Sequence, residues 1–196
     1  MPPTKRIFRQ DILYAAVELV RQQGPQALSV RTLAKALHCS TQPIYSAFES
    51  MNDLLHALTA YVRETYLRAD AGSYKDVALS FLHFACTEQN LFRLVYLRQR
   101  DPNETLFEDP NQAQTIAKLA EHLELTTQIA TEMHRRMQYY SYSMAVMMAT
   151  GYLTFTQEEI SQELTQYYRI ILSYYKQVKS EEELQHWLER SRNLLT

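Results

Sequence analysis

Residues 28–54 read LSVRTLAKALHCSTQPIYSAFESMNDL, and the fold turns on how that stretch is parsed. Leu33, Ala34 and Leu37 recur at helical spacing behind Ser29, whose hydroxyl can accept from a free backbone N–H of a first helical turn. Leu28 and Leu33 flank that cap in hydrophobic-staple positions. The pattern predicts a short helix that starts at Ser29 and stops near His38. A second helix is expected from Ser40, with Cys39 and Ile44 as its staple. Pro43 falls in its first turn, where the missing N–H has no intrahelical partner to lose, so Ser40 has to cap Gln42. Ile44, Tyr45 and Phe48 complete two turns. Two short helices joined by a tight turn form a helix-turn-helix, whose second helix is shaped to enter the major groove of duplex DNA.

The flanks extend the helical reading in both directions. Upstream, Phe8, Ile12, Ala15, Ala16 and Leu19 predict a helix from about Phe8 to Gln23, ended by Gly24-Pro25. Downstream, Ser50-x-x-Asp53 resembles a capping box. The helix it opens carries Leu54, Leu55, Leu58, Tyr61, Val62 and Tyr66 and is expected to reach Ala71, with Gly72 as the break. Six further helices are expected at about 73–89, 90–99, 111–123, 126–150, 157–178 and 181–195. Asp101 to Pro110 is the polar, proline-containing loop between them. Three glycines in 196 residues are too few for the turns of a sheet protein of this size. The expected fold is all-α, with an N-terminal three-helix helix-turn-helix domain over 1–50 and a C-terminal helical domain over 51–196.

Charge is divided along the same boundary. Residues 1–50 carry six Lys or Arg against three Asp or Glu, and the remainder carries 14 against 19. A basic head on an acidic body points to an anionic partner for the head. Ser40, Thr41, Gln42 and Pro43, followed by Tyr45 and Ser46, lie at the end of the second helix that reaches base edges. Gln can pair bidentately with adenine, and Thr or Pro can touch a thymine methyl. Ser29, Arg31, Thr32 and Tyr45 are of the types that contact phosphate, and Lys5, Arg6 and Arg9 form a basic arm.

Other functions find little in the chain. There is no phosphate-cradling glycine loop, nucleophile elbow or metal motif. His83 with Glu88, or His134 with Glu132, could make acid–base pairs, but nothing in the pattern brings them together. The expectation is therefore not an enzyme, with no cofactor and no metal. Cys39 and Cys86 lie far apart without a CxxC partner, which fits a reducing compartment. The opening MPPTKRIFRQ has no apolar core region, and the most apolar run, Met144 to Phe155, is too short to span a bilayer. A cytoplasmic protein with no membrane partner is expected.

The stretch from about residue 8 to 60 resembles the DNA-binding region of the tetracycline-repressor (TetR/AcrR) family. The likeness lies in Ser29, the pair Leu33-Ala34, Ser40, and Tyr45-Ser46-Ala47-Phe48, preceded by a helix with Ala15-Ala16 and Gly24. Beyond that stretch only helix order and length are similar. Three positions depart from the family pattern: His38 stands at the turn glycine, Ala47 where a phosphate-binding His is frequent, and Met51 where a Lys often opens the fourth helix. The basic arm is placed to compensate for the two phosphate contacts.

The resemblance implies a transcriptional regulator, expected to repress, that binds double-stranded operator DNA as a homodimer and responds to a small hydrophobic or aromatic effector. It further implies a ligand cavity among Phe81, Phe84, Phe92, Tyr96, Met133, His134, Met137 and Tyr140. Independently, Ile160, Leu164, Tyr167, Ile171 and Tyr174 repeat at 4-3-4-3 spacing, and Met144 and Met147 continue a looser stripe one helix earlier. These seven are the expected dimer seam. A DNA-binding regulator without a small-molecule effector is the alternative. Effector, operator and regulated genes are not legible in the sequence.

Overall fold

The computed structural model describes residues 6–67, 73–99 and 112–192, which form α-helices and one 3-10 turn, with no strand among them. The expected cap at Ser29 is present. Helix α2 (Val30–Ala36) starts behind Ser29, whose Oγ accepts from the Thr32 N–H at 3.2 Å. The Thr32 hydroxyl in turn accepts from the Ser29 N–H at 3.0 Å, so Thr does the work that Glu or Gln does in a capping box. Helix α1 (Arg9–Gln23) ends at Gly24, whose φ of +85° is strained for any residue with a Cβ. The 3-10 turn Pro25–Ala27 comes next.

Helix α3 corrects the sequence reading. It runs over Gln42–Ala47, later than a Ser40 cap requires, and its N-cap Thr41 makes no side-chain cap bond. Tyr45 and Ile44 both donate their N–H to Thr41 O at 3.2 Å, so the first turn closes on backbone alone. Helix α4 (Met51–Tyr66) is capped by Ser50 as expected. The Asp53 carboxylate reaches back past Ser50 to the Glu49 N–H at 3.1 Å, so only half of the box forms. The last turn before Ala71 lies outside the described residues.

The chain divides into two compact units. The first comprises residues 1–68 and 87–100, and so takes in helix α6 (Gln89–Tyr96) from far along the chain. Within it α1 packs against α2, α3, α4 and α6. Ile12, Ala16 and Val20, four residues apart along α1, are fully buried, as are Leu33, Leu58, Val62, Leu91, Phe92 and Val95. Each large apolar side chain so buried contributes about 1.5–3 kcal/mol. Arg21 fastens α6 to α1: its Nε donates to the Glu88 carboxylate at 2.9 Å, and its other nitrogens reach Glu18 and the Tyr66 hydroxyl. The Glu88 hydrogen bond, more than any other contact, holds the guanidinium pKa above its ordinary value.

The second unit comprises residues 69–86 and 101–196, with α5 (Tyr74–Thr87) entering it and α7 (Gln112–His122), α8 (Thr127–Ala149), α9 (Gln157–Lys176) and α10 (Glu181–Arg190) inside it. Helices α7 and α8, α8 and α9, and α9 and α10 pack as neighbours. Their core gathers Ile116, Leu119, Leu123, Met133, Met137, Tyr168, Ile171, Leu172 and Leu184. Lys176 Nζ donates to Leu123 O at 2.9 Å and sits 3.5 Å from the Trp187 ring centre, while Arg190 Nε donates to His122 O at 3.2 Å. Two cations thus satisfy carbonyls at the C-terminal end of α7, where the helix dipole favours them.

Helices α2, α7 and α9 end without glycine, on His38, Glu124 and Gln177, all with positive φ near +50°. At the first, the Cys39 N–H bonds to Ala34 O and the His38 N–H to Lys35 O, the paired bonds of a Schellman motif. A non-glycine residue there costs about 1–2 kcal/mol, against about 0.4–1 kcal/mol for the extra freedom glycine brings to the unfolded chain. His38 is exposed and contributes no core packing. His38→Gly should therefore stabilise the protein by about 0.5–1 kcal/mol, and His38→Val should destabilise it. Thermal melts of the two variants check this; a lower melting temperature for the glycine variant would show the turn unstrained.

Candidate nucleic-acid interface

Helix α3 has two contrasting sides. Ile44 and Phe48, four residues apart, are 1% and 2% exposed. Gln42, Tyr45 and Ser46, at spacings of three and four, form the outward side, and Tyr45 is 60% exposed. An exposed aromatic on a short helix whose inner face is fully covered is available to a partner. The Ser46 hydroxyl donates to Gln42 O at 2.9 Å, which leaves its lone pairs outward. Thr41 and Pro43 are half-buried at the start of the helix, and Ser40 precedes them, exposed.

The expected phosphate contacts fall into two groups. Arg31 is exposed on α2, as is Tyr45 on α3. Ser29 and Thr32 are half-buried and spent on each other: their hydroxyls lie 2.9 Å apart, and Thr32 Oγ1 also donates to Ala27 O at 2.7 Å. Their first duty is to start α2. Arg6 is exposed, its guanidinium 5.3 Å from the Phe8 ring centre, and Lys5 lies outside the described residues. Arg9, grouped with the arm by charge, is turned instead toward the end of α3, its Nη1 donating to Ala47 O at 2.8 Å. Charge pattern alone carries no signal for that contact, because donor and acceptor are separated by 38 residues.

The eight residues expected around a cavity are divided between the units. Phe92 and Tyr96 lie on α6 in the first, both buried, with ring centres 4.9 Å apart. In the second, Phe84 is buried and Phe81 half-buried on α5. Met133 and Met137 are part of the apolar core of α7 to α10. His134 is buried, and its Nδ1 is 3.1 Å from the Tyr74 hydroxyl. Tyr140, one turn on from Met137 along α8, has its partners on α9. Its hydroxyl donates to Glu163 Oε2 at 2.7 Å and its ring stacks on Tyr167 at 3.8 Å. Burial, helped by the Glu163 carboxylate, pushes the Tyr140 phenol up to about 12, so it remains a donor at neutral pH.

The expected dimer seam is also split, and four of its seven residues need correction. Met144, Ile160, Leu164 and Ile171 are at most 5% exposed in the single chain, so a partner has nothing left to cover. Their periodicity reports the protomer's own core. Met147 and Tyr167 are half-buried, and Tyr174 is 70% exposed. The Tyr140–Tyr167 stack sets two outward stripes side by side, Tyr140-Ser143-Met147 on α8 and Tyr167-Ile170-Tyr174 on α9. Ile170, 63% exposed, has no place in the sequence-derived seam and belongs to this face.

Among the described residues, no helix is long and apolar enough to cross a membrane. No curated protein matches the chain. Residues 12–58 match the family model of bacterial regulatory proteins of the tetR family. The match covers α1 to the middle of α4, the elements that bury Ile44 and Phe48 and turn Gln42 and Tyr45 outward. This N-terminal domain is that of the bacterial regulatory proteins of the tetR family, and it supports a DNA-binding regulator of transcription.

Proposed function

We propose that the chain is a cytoplasmic, ligand-responsive repressor that binds a roughly palindromic operator as a two-fold homodimer. Residues 1–50 act as the DNA-reading head and residues 51–196 as the body that pairs and receives an effector. The single observation that carries the head's role is the outward side of α3: Gln42, Tyr45 and Ser46 are exposed on a helix whose other side is fully covered. Gln42 reads a base edge, Thr41 and Pro43 touch a thymine methyl, and Tyr45, Arg31 and Arg6 hold phosphates.

Pairing is supported by the aromatic face of α8 and α9. Tyr139, Ile170 and Tyr174 are each more than half exposed there. Two such helix pairs facing each other across a two-fold axis make a four-helix bundle, and the dimer presents two heads to successive major grooves. The effector is a small, mostly apolar or aromatic molecule bound within residues 73–150, where Phe, Tyr and Met side chains are joined by a few polar groups such as the His134–Tyr74 pair. A second reading, a regulator without an effector, is favoured by Met133 and Met137, which are already committed to the core.

Gln42→Ala should change preference at one base pair per half-site by about 1–3 kcal/mol, and Tyr45→Ala should weaken binding with the fold intact. Arg31→Ala should weaken all sequences alike and flatten the salt slope by about one. Unchanged affinity in all three variants, measured on duplexes selected by the wild-type protein, would sink the assignment. For the dimer, Ile170→Glu combined with Tyr174→Glu should give folded monomers in sedimentation, whereas Leu164→Glu should unfold the body, because it buries a charge. A persistent dimer in the double variant places the interface elsewhere. For the effector, any compound that releases the operator must itself bind more weakly to the DNA complex by the same factor, typically about 5–150-fold. Calorimetric titration with and without DNA measures it, and equal affinities leave the effector-free regulator as the reading.

A further inference from the structure

Arg9 is the first residue of α1, and its guanidinium is turned toward the segment that ends α3 and opens α4. Its Nη1 donates to the carbonyl of Ala47, the last residue of α3, at 2.8 Å. Its guanidinium carbon lies over the ring of Phe48, the C-cap residue, 4.2 Å from the centre. Its Nη2 is 3.9 Å from Asp53 Oδ1, and the other oxygen of that carboxylate accepts the Glu49 N–H. Ala47, Phe48 and, through Asp53, Glu49 are thus tied to one side chain on another helix.

Helix α3 needs such a tie. Six residues make few internal bonds, and helices this short do not persist by themselves. At the N-terminal end the cap residue contributes no side-chain bond. At the C-terminal end the carbonyls are without intrahelical partners and carry the negative end of the helix dipole, so a cation there is favoured twice over. A guanidinium suits the place because its planar fork can donate and stack at once, which an ammonium cannot.

We propose that Arg9 is a positioning residue of the DNA interface, clamping the C-terminal end of α3 so that Gln42, Tyr45 and Ser46 are presented in one pose, and that it is not a phosphate contact. The proposal rests on the reading that α3 carries the base contacts. Charge alone would place Arg9 with Arg6 on the DNA backbone, and the two roles separate in measurement. A phosphate contact depends on charge, adds to affinity for every duplex alike, and steepens the salt dependence by about one. A clamp depends on the fork and adds to affinity chiefly where bases are read.

The test uses the full chain with Arg9→Lys, Arg9→Met and, as the phosphate control, Arg6→Ala. Each is titrated with a duplex selected from a random library by the wild-type protein and with a scrambled duplex of equal length, over a range of salt. Amide exchange at residues 44–48 is followed in the free protein. Arg9→Lys and Arg9→Met should both lose about tenfold on the selected duplex and less than about threefold on the scrambled one. Their salt slope should stay at the wild-type value, and exchange at 44–48 should speed up without DNA present. If Arg9→Lys binds like wild type while Arg9→Met loses equally on both duplexes with a slope lower by about one, Arg9 is a phosphate ligand and the proposal fails. Unchanged affinity and exchange in both variants also overturn it. A wild-type chain that selects no duplex would refute the DNA reading of α3 itself, and the exchange measurement would still report on the clamp.

Discussion

Helices of seven and six residues do not hold their shape in water, and the outward side of α3 depends on burying Leu33, Ala34, Ile44 and Phe48 in the core that α2 and α3 share with α1. The rest of the head is built on that burial. Helix α1 is long enough to offer its inner side to four partners at once. It also supplies the two arginines that make specific bonds at its ends, Arg9 to α3 and Arg21 to Glu88 and Tyr66. With the inner residues held, the outward positions of α3 are free of any packing role. This is the condition under which a surface residue can be chosen for recognition alone.

The body obeys the same rule and shows where a periodicity argument goes astray. A stripe at heptad-like spacing on α9 needs cover, and heptad spacing by itself is silent about who supplies it. Here α7, α8 and α10 of the same chain supply it, around Tyr168, Ile171 and Leu172. The residues left facing outward are more polar and more aromatic, with tyrosines that keep one end wet: Tyr174, Tyr139 and the stacked pair Tyr140 and Tyr167. Tyrosine suits such a half-wet position, because its ring is apolar while its hydroxyl stays hydrated.

Helix ends divide into those with a chemical mark and those without. Ser29, Ser50, Thr126, Thr156 and Ser180 each cap a helix with a side-chain oxygen on the N–H three residues on. The left-handed ends at His38, Glu124 and Gln177 have no such mark, because glycine is absent and the turns are closed by backbone bonds. His38 is the informative case. It stands where the family pattern has glycine, keeps the same backbone conformation, and so carries strain into the turn that joins the two helices of the motif.

Local spacing, with caps that lie within four residues of the N–H groups they satisfy, is enough to set the order and extent of the helices, the helix-turn-helix at 28–54, and the outward position of Gln42 and Tyr45. The start of α3 escapes that reading because Pro43 and backbone bonds to Thr41 close the first turn without the serine. Three features came from the three-dimensional packing alone: α6 packs on α1 in the first compact unit, Arg9 donates to Ala47 O, and Ile160, Leu164 and Ile171 look inward. These are contacts between residues tens of positions apart, or choices between two partners of equal chemistry. An amphipathic stripe or a basic side chain states what kind of contact it needs, and the packing of the other helices selects which one it gets.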